Sequence, residues 1–418
     1  MMGGALGIAG LTLSLAALFC AVWIVVPAPH RVLALLAVGA SELSAWLLVA
    51  GGAGAGLGAA AAVRAGGGGT AWVLRVGWLS VLCGLGAAGL ALVPPLQARP
   101  VATTHGAPLS PLRAMTGALT PSDSDAAVTA MSTVTYAAVD GQALHMDVYR
   151  PSHRSDASSG PGARPAVVVV HGGAWDGGKR SEQARWNRWL VARGYVVFDV
   201  DYRLVPQPNW AAATGDILCA VGTIKAQAAH WSVDPARVAL LGRSAGGHLA
   251  LLAAYTAAEA GAADSTIDPN DAGDQGVRPS CSVPDAAVRA VVSFYGPTDL
   301  IWGYEHPANQ RVIDGRRTLE QFLGGTPHTA RGIYERASPT THVRPETPPT
   351  LLLHGGRDQF ARSQHSERLA SRLQVAGVPH ETVLVPYAQH GFDYVFDGWG
   401  GQIVQATVAR FLEAHVKG

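Results

Sequence analysis

The stretch that decides the fold runs Val238–Leu241, then Gly242-Arg243-Ser244-Ala245-Gly246-Gly247, then His248–Tyr255. A short continuous apolar run, a glycine-flanked serine and a helix-like segment follow one another without a break. A strand buried on both faces reads as continuous apolar residues, whereas a half-exposed strand alternates. Gly-x-Ser-x-Gly between strand and helix is a nucleophile elbow, a sharp turn that lifts the serine Oγ above the sheet. Ser244 is the candidate nucleophile.

Similar runs recur on either side, at residues 166–170, 195–200, 290–294, 350–353 and 381–385, with helical stretches between them. Residues 133–137 and 144–149 alternate around Asp140-Gly141 and form a hairpin. The pattern predicts an α/β domain over residues 131–418, a mostly parallel sheet with helices on both faces. In such sheets ligands bind at the carboxyl ends of the strands, and this chain concentrates its Gly, Ser, His and Asp there. His171-Gly172-Gly173-Ala174-Trp175 follows the first run, His354-Gly355-Gly356-Arg357-Asp358 the fifth, and Gln389-His390-Gly391 the last.

A neutral serine needs a base to take its proton, and that base needs an orienting acid. The chain order for this architecture is serine, acid, histidine. His390 is therefore the base and Asp358 the acid, with Asp299 and Asp393 as weaker alternatives for the acid and His354 and His365 as rivals for the base. A tetrahedral oxyanion needs fixed N–H donors. Ala245 supplies one and the side-chain-free loop Gly172 and Gly173 the others, while His171 fixes that loop. No cofactor or metal is expected. The Gly84–Gly89 match to a dinucleotide turn lies inside an apolar span with no preceding strand, and the calcium-loop likeness of residues 268–273 lacks its essential ligands.

These motifs resemble the α/β-hydrolase carboxylesterases and lipases with a His-Gly-Gly oxyanion motif, the hormone-sensitive-lipase-like and acetyl- or feruloyl-esterase-like groups. Asp201-Tyr202-Arg203-Leu204 and Tyr295-Gly296-Pro297-Thr298-Asp299 stand where that family has further motifs, and the resemblance makes Asp201–Leu204 a brace for the oxyanion loop. Many hormone-sensitive-lipase-like members carry an acidic residue before the serine, where this chain has Arg243. The resemblance implies hydrolysis of short- to medium-chain esters through an acyl-enzyme, with a small-molecule ester as the partner in catalysis. Rival readings are a prolyl-oligopeptidase-like serine peptidase, whose members usually carry a large β-propeller before the hydrolase, and a catalytically silent hydrolase-fold binding domain.

The amino-terminal quarter is different. Of the 31 Lys and Arg and 30 Asp and Glu in 418 residues, only Arg31, Glu42, Arg64, Arg75 and Arg99 fall in the first hundred. Apolar stretches at about 5–26, 32–50 and 71–93 are each near the roughly 20 residues a membrane-spanning helix needs, so residues 1–95 read as a three-span anchor in the lipid bilayer. Pro27 and Pro29 end the first stretch and Pro94-Pro95 the third. Glu42 falls mid-span, where it must face another helix or be protonated. Gly3/Gly7, Gly52/Gly56 and Gly54/Gly58 have the spacing that allows close helix approach. A hydrolase on such an anchor resembles membrane-bound esterases of actinobacteria.

Residues 96–130 read as a linker. Residues 257–287 and 301–340 are insertions, and the second, with Trp302, Tyr304, Phe322 and Tyr334, is either an acyl-facing lid or satellite core. A net charge of +1 and only three Lys argue against nucleic acid as a partner. Cys219 and Cys281 can pair if the domain is exported, and basic residues flanking the spans are too balanced to orient them.

Overall fold

A computed structural model describes residues 2–66, 70–117, 128–151, 163–204, 208–262 and 276–418. Eight strands form one sheet in the order β1-β2-β4-β3-β5-β6-β7-β8. They are β1 (Val128–Val139), β2 (Gln142–Pro151), β3 (Arg164–Val170), β4 (Val196–Val200), β5 (Val233–Arg243), β6 (Ala290–Phe294), β7 (Thr350–Gly355) and β8 (His380–Val385). Pairing is parallel from β4 through β8 and antiparallel for β1 with β2 and β2 with β4. All the expected strands are present. Asp140 and Gly141, both with positive φ, close the hairpin, the geometry of the tight turns that match strand twist.

Alternation along β3 divides the core. Ala166, Val168 and Val170 face a cluster with helices Trp210–Ala226 and Ala245–Ala262, while Val167 and Val169 face one with helices Ala184–Val191 and Trp399–Leu412. Both faces are thus covered, which is why these strands are continuous apolar runs. Cys219 and Cys281 form a disulfide that ties the segment before β6 to helix Trp210–Ala226. Closing a loop across 62 residues of sequence restricts the unfolded chain by about 4 kcal/mol on the entropic model.

Three amino-terminal helices are long and apolar enough to cross a membrane. Helices α1 (Met2–Val22), α3 (Ser44–Gly66) and α4 (Ala71–Ala91) pack together and are joined to the hydrolase by α2 (Arg31–Glu42), α5 (Val93–Thr104) and α6 (Pro111–Thr116). The bundle is small inside and large outside. Ala17, Ser14, Ser80, Ala61 and Ala87 are buried, while Leu15, Phe19, Trp78 and Leu82 are exposed, as expected where lipid solvates the outer face and backbones approach inside. A Cβ on Gly51 would collide with the Gly84 carbonyl of the facing helix. Gly58 lies in the same seam and Gly54 faces α1 at Gly10 and Ser14, whereas Gly52 and Gly56 face open space.

Three expectations change here. The apolar run 32–50 is not one span, because the chain breaks at Leu43 and the membrane-length helix is Ser44–Gly66. Glu42 is therefore not mid-span; it is buried against the hydrolase, where its Oε2 accepts from Gly400 N at 2.7 Å. Pro94-Pro95 does not stop the helical path: α4 ends at Ala91 and α5 begins at Val93, since prolines in a first turn sacrifice no intrahelical bond. The linker 96–130 packs against the domain where it is described. Ala98, Ala102, Ala107 and Ala114 are buried in the hydrolase core, and residues 118–127 lie outside the described residues.

Burial, partly offset by the Gly400 and Gly401 amides, pushes the Glu42 carboxyl from its ordinary 4.5 up to about 8. A folded-state pKa above the unfolded one gives stability that is complete below about 4.5 and is lost as pH rises toward 8. Glu42→Gln, neutral at every pH, should melt close to the parent at pH 5 and above it at pH 9. An unchanged difference between the two pH values, read by thermal denaturation of the full chain, would contradict this burial.

Candidate active site

Ser244 sits between β5 and helix Ala245–Ala262 with φ +54°, a left-handed conformation that costs a non-glycine residue energy and is held here by its surroundings. Its N–H donates to the Phe294 carbonyl at 2.9 Å, which ties the elbow to β6. A Cβ on Gly242 would strike the Gly246 carbonyl, and one on Gly246 would strike the carbonyls of Val170 and His171. The glycine spacing is thus required by backbone packing under the turn.

The structure brings Ser244, His390 and Asp358 together. Ser244 Oγ lies 2.9 Å from His390 Nε2, and His390 Nδ1 lies 2.6 Å from Asp358 Oδ2. With Nδ1–H donating a hydrogen bond to the carboxylate, Nε2 is free to accept from the hydroxyl. Asp358 Oδ1 accepts from the Phe360 and Ala361 N–H groups at 2.8 and 2.9 Å. Burial works to raise the Asp358 pKa, but the charge of His390 and hydrogen bonds from His354 and His390 hold it well below the usual carboxylate range. The His390 ring lies between Phe360, stacked at 5.0 Å, and Tyr295, tilted at 4.4 Å.

Gly172 abuts the nucleophile, since a Cβ there would stand 3.3 Å from Ser244 Cβ. Gly173 follows with φ +118°, and Ala245 opens the helix behind the serine. Among the described residues no protein acceptor takes the N–H of Gly172, Gly173 or Ala245. The loop is braced from behind. Tyr202 donates its hydroxyl to the His171 carbonyl at 3.1 Å and stacks on the His171 ring, and Arg180 pairs with Asp201 and Asp147. His171 bonds the Gly172 carbonyl at 2.7 Å.

The rival residues do other work. Asp299 caps helix Leu300–Glu305 and pairs with Arg368. His365 accepts from Thr298 N and is pushed down to about 3 by burial. His354 packs behind the acid, with Nε2 3.3 Å from Asp358 Oδ2 and Nδ1 2.8 Å from Ser366 Oγ. In the second insertion Phe322 and Tyr334 are fully buried, and Phe322 stacks on Trp175 at 4.3 Å, so these aromatics belong to the satellite core. Residues 263–275 of the first insertion lie outside the described residues. Among the described residues no group of three or more His, Cys, Asp or Glu could hold a metal.

Sequence reasoning missed the pair beneath the elbow. Arg243, buried under the nucleophile, donates from Nε to Asp393 Oδ2 at 2.6 Å, and Tyr295 donates its hydroxyl to the same carboxylate. The guanidinium also lies over the Phe294 and Trp186 rings, at 4.7 and 5.2 Å. Asp393 follows His390 by three residues, so this pair links the histidine loop to the residue before the serine. The only available signal was the lone basic residue inside the elbow motif.

An eight-stranded sheet of this order with a hydrogen-bonded Ser–His–Asp array at its carboxyl edge is the α/β-hydrolase arrangement. The BD-FAE family profile matches residues 146–373, and the chain belongs to that family. It is 32% identical over 258 residues to a probable carboxylic ester hydrolase, LipM, of Mycobacterium tuberculosis (strain ATCC 25618 / H37Rv), covering 60% of this chain and 54% of that protein. It is likewise 32% identical over 279 residues to esterase LipC of the same strain, covering 65% and 62%. The chain thus spans little more than half the length of these relatives. Among solved structures, a truncated carbohydrate esterase from gut microbiota superposes with a TM-score of 0.53 at 23% identity, over 69% of this chain and 99% of that one. That likeness concerns the fold.

Removing one partner of a buried ion pair leaves the other charge uncompensated, at about 3–5 kcal/mol. Asp393→Ala should therefore destabilise the protein by about that amount, while Arg243→Met combined with Asp393→Leu should recover most of the loss. Denaturant unfolding of the three proteins checks this, and a double variant no better than Asp393→Ala would refute the pairing.

Proposed function

We propose that this chain is a membrane-anchored serine carboxylesterase that hydrolyses short- to medium-chain esters through an acyl-enzyme. The observation that carries the reading is the Ser244–His390–Asp358 array, with free N–H groups at Gly172, Gly173 and Ala245 beside the nucleophile. Ser244 attacks the ester carbonyl as His390 Nε2 takes its proton. The three amides receive the oxyanion, and His390 returns the proton to the departing alcohol. Water then enters, activated by the same imidazole, and releases the acid. Asp358 holds the tautomer throughout. The named ester hydrolases among the relatives favour this over the peptidase reading, and the intact array opposes a silent binding domain.

The three apolar helices form a multi-pass anchor in this reading, with the amino terminus and the hydrolase on opposite faces of the membrane. Disulfides persist in oxidising compartments, so Cys219–Cys281 favours an extracytoplasmic hydrolase. Protease shaving of intact cells should then degrade residues 131–418, and full protection would reverse the orientation.

Ser244→Ala and His390→Ala should each lower kcat by about 10⁶, and the double variant little further, because the groups act as a unit. Asp358→Asn should cost about 10⁴. A fluorophosphonate should label Ser244 in the parent and leave Ser244→Ala unlabelled. Full ester hydrolysis by purified Ser244→Ala would overturn the assignment, and turnover of amides or trilaurin above that of butyrate esters would overturn the substrate class.

A further inference from the structure

Within a few residues of its end, the first span meets the triad acid. Arg357 Nη1 donates to the Val25 carbonyl at 2.8 Å, Ala28 N donates to Gln359 Oε1 at 2.8 Å, and Asn309 Nδ2 donates to the Ala28 carbonyl at 2.7 Å. Arg357 and Gln359 flank Asp358. Val25 is three residues past the end of α1, so it lies at most about 10 Å from it. Phe360, which stacks on His390, packs with Ala28, Leu33, Ala34 and Val312. The start of α2 is therefore part of the rim around the catalytic histidine.

The outer side of that rim suits a bilayer surface. Val26, Val32 and Leu35 are 43%, 70% and 56% exposed, turned neither to the helix bundle nor to the hydrolase. Residues 27–29 also wall a cavity of about 490 Å³ whose opposite side carries Asp358, Arg311 and Arg362. Among the described residues neither arginine has a carboxylate partner. Exposed apolar side chains beside guanidinium groups that no carboxylate neutralises form the composition that sits in a headgroup layer, with carbon below and lipid phosphate at the level of the charge. Because α2 connects the ends of two membrane-length helices, the bilayer is the surface available to that face.

We propose that the active-site mouth opens onto the adjoining leaflet, and that the substrate is an amphiphilic ester whose alcohol part is held in that leaflet while its short acyl group reaches Ser244. This rests on the esterase reading above and names the substrate class it leaves open.

The test uses the full chain reconstituted in vesicles of equal parts phosphatidylglycerol and phosphatidylcholine. Hexadecyl butyrate incorporated in the vesicles is compared with soluble 2-methoxyethyl butyrate, for the parent, Val32→Asp/Leu35→Asp, and the conservative Val32→Leu/Leu35→Ile. Charge on the membrane-facing side of α2 should slow hydrolysis of the vesicle-borne ester by about tenfold or more. It should leave the soluble ester within about twofold, as for an ordinary surface change. The conservative variant should match the parent on both. Equal losses on both esters in the aspartate variant, or no loss on either, would overturn membrane access while leaving the esterase reading intact. Failure of the parent to hydrolyse either ester, together with no fluorophosphonate label on Ser244, would overturn the esterase reading and this proposal with it.

Discussion

The site depends on one close approach, the first turn of helix Ala245–Ala262 packed against the carbonyls that end β3. With no side chain at Gly246, the helix can sit directly on Val170 and His171. That contact fixes three things at once: the positive φ of Ser244, the position of the Ala245 amide, and the proximity of Gly172 to the serine. The proposed nucleophile and oxyanion donors come from two neighbouring parallel strands, so their relative position is inherited from strand register rather than from flexible side chains. Preorganisation of this kind puts the reorganisation cost into folding instead of the reaction.

Around this rigid centre the acid and base are placed by layers of support. Asp358 is held by two backbone amides and two histidines, His390 by two aromatic rings, and the loop behind it by the Arg243–Asp393 pair. These supports come from the ends of β5, β6, β7 and β8. The sheet therefore acts as a frame on which five loops are pinned against one another.

The strands were legible in the sequence because burial on both faces removes polar residues from them, and residues 166–170 show this plainly. That Ser244, Asp358 and His390 would meet was legible because chain order and strand ends together left few choices. Other features depend on partners far apart in sequence. Nothing near Arg243 announces Asp393, 150 residues later. Hydropathy counts apolar residues without saying whether lipid or protein covers them, so the run 32–50 concealed a break at Leu43 with no proline or glycine to mark it. The same blindness put Glu42 inside a span, although its partner is the start of helix Trp399–Leu412. Which residues of the linker pack was not legible, because small residues such as Ala98 and Ala102 carry little periodic signal.

The manner in which α5 and α6 are built into the α/β domain means that the apolar helices and that domain share one core. Ala98, Ala102, Ala107 and Ala114 fill space against helix Trp399–Leu412, Arg113 pairs with Asp397 beside it, and Gln402 accepts from Ser110 N. A soluble fragment cut at residue 131 would carry an open apolar flank and leave Asp397 with Arg185 alone of its two arginines. Its turnover would describe an injured enzyme. The smallest faithful unit of this protein includes its juxtamembrane helices, so its chemistry is best measured in a membrane mimic.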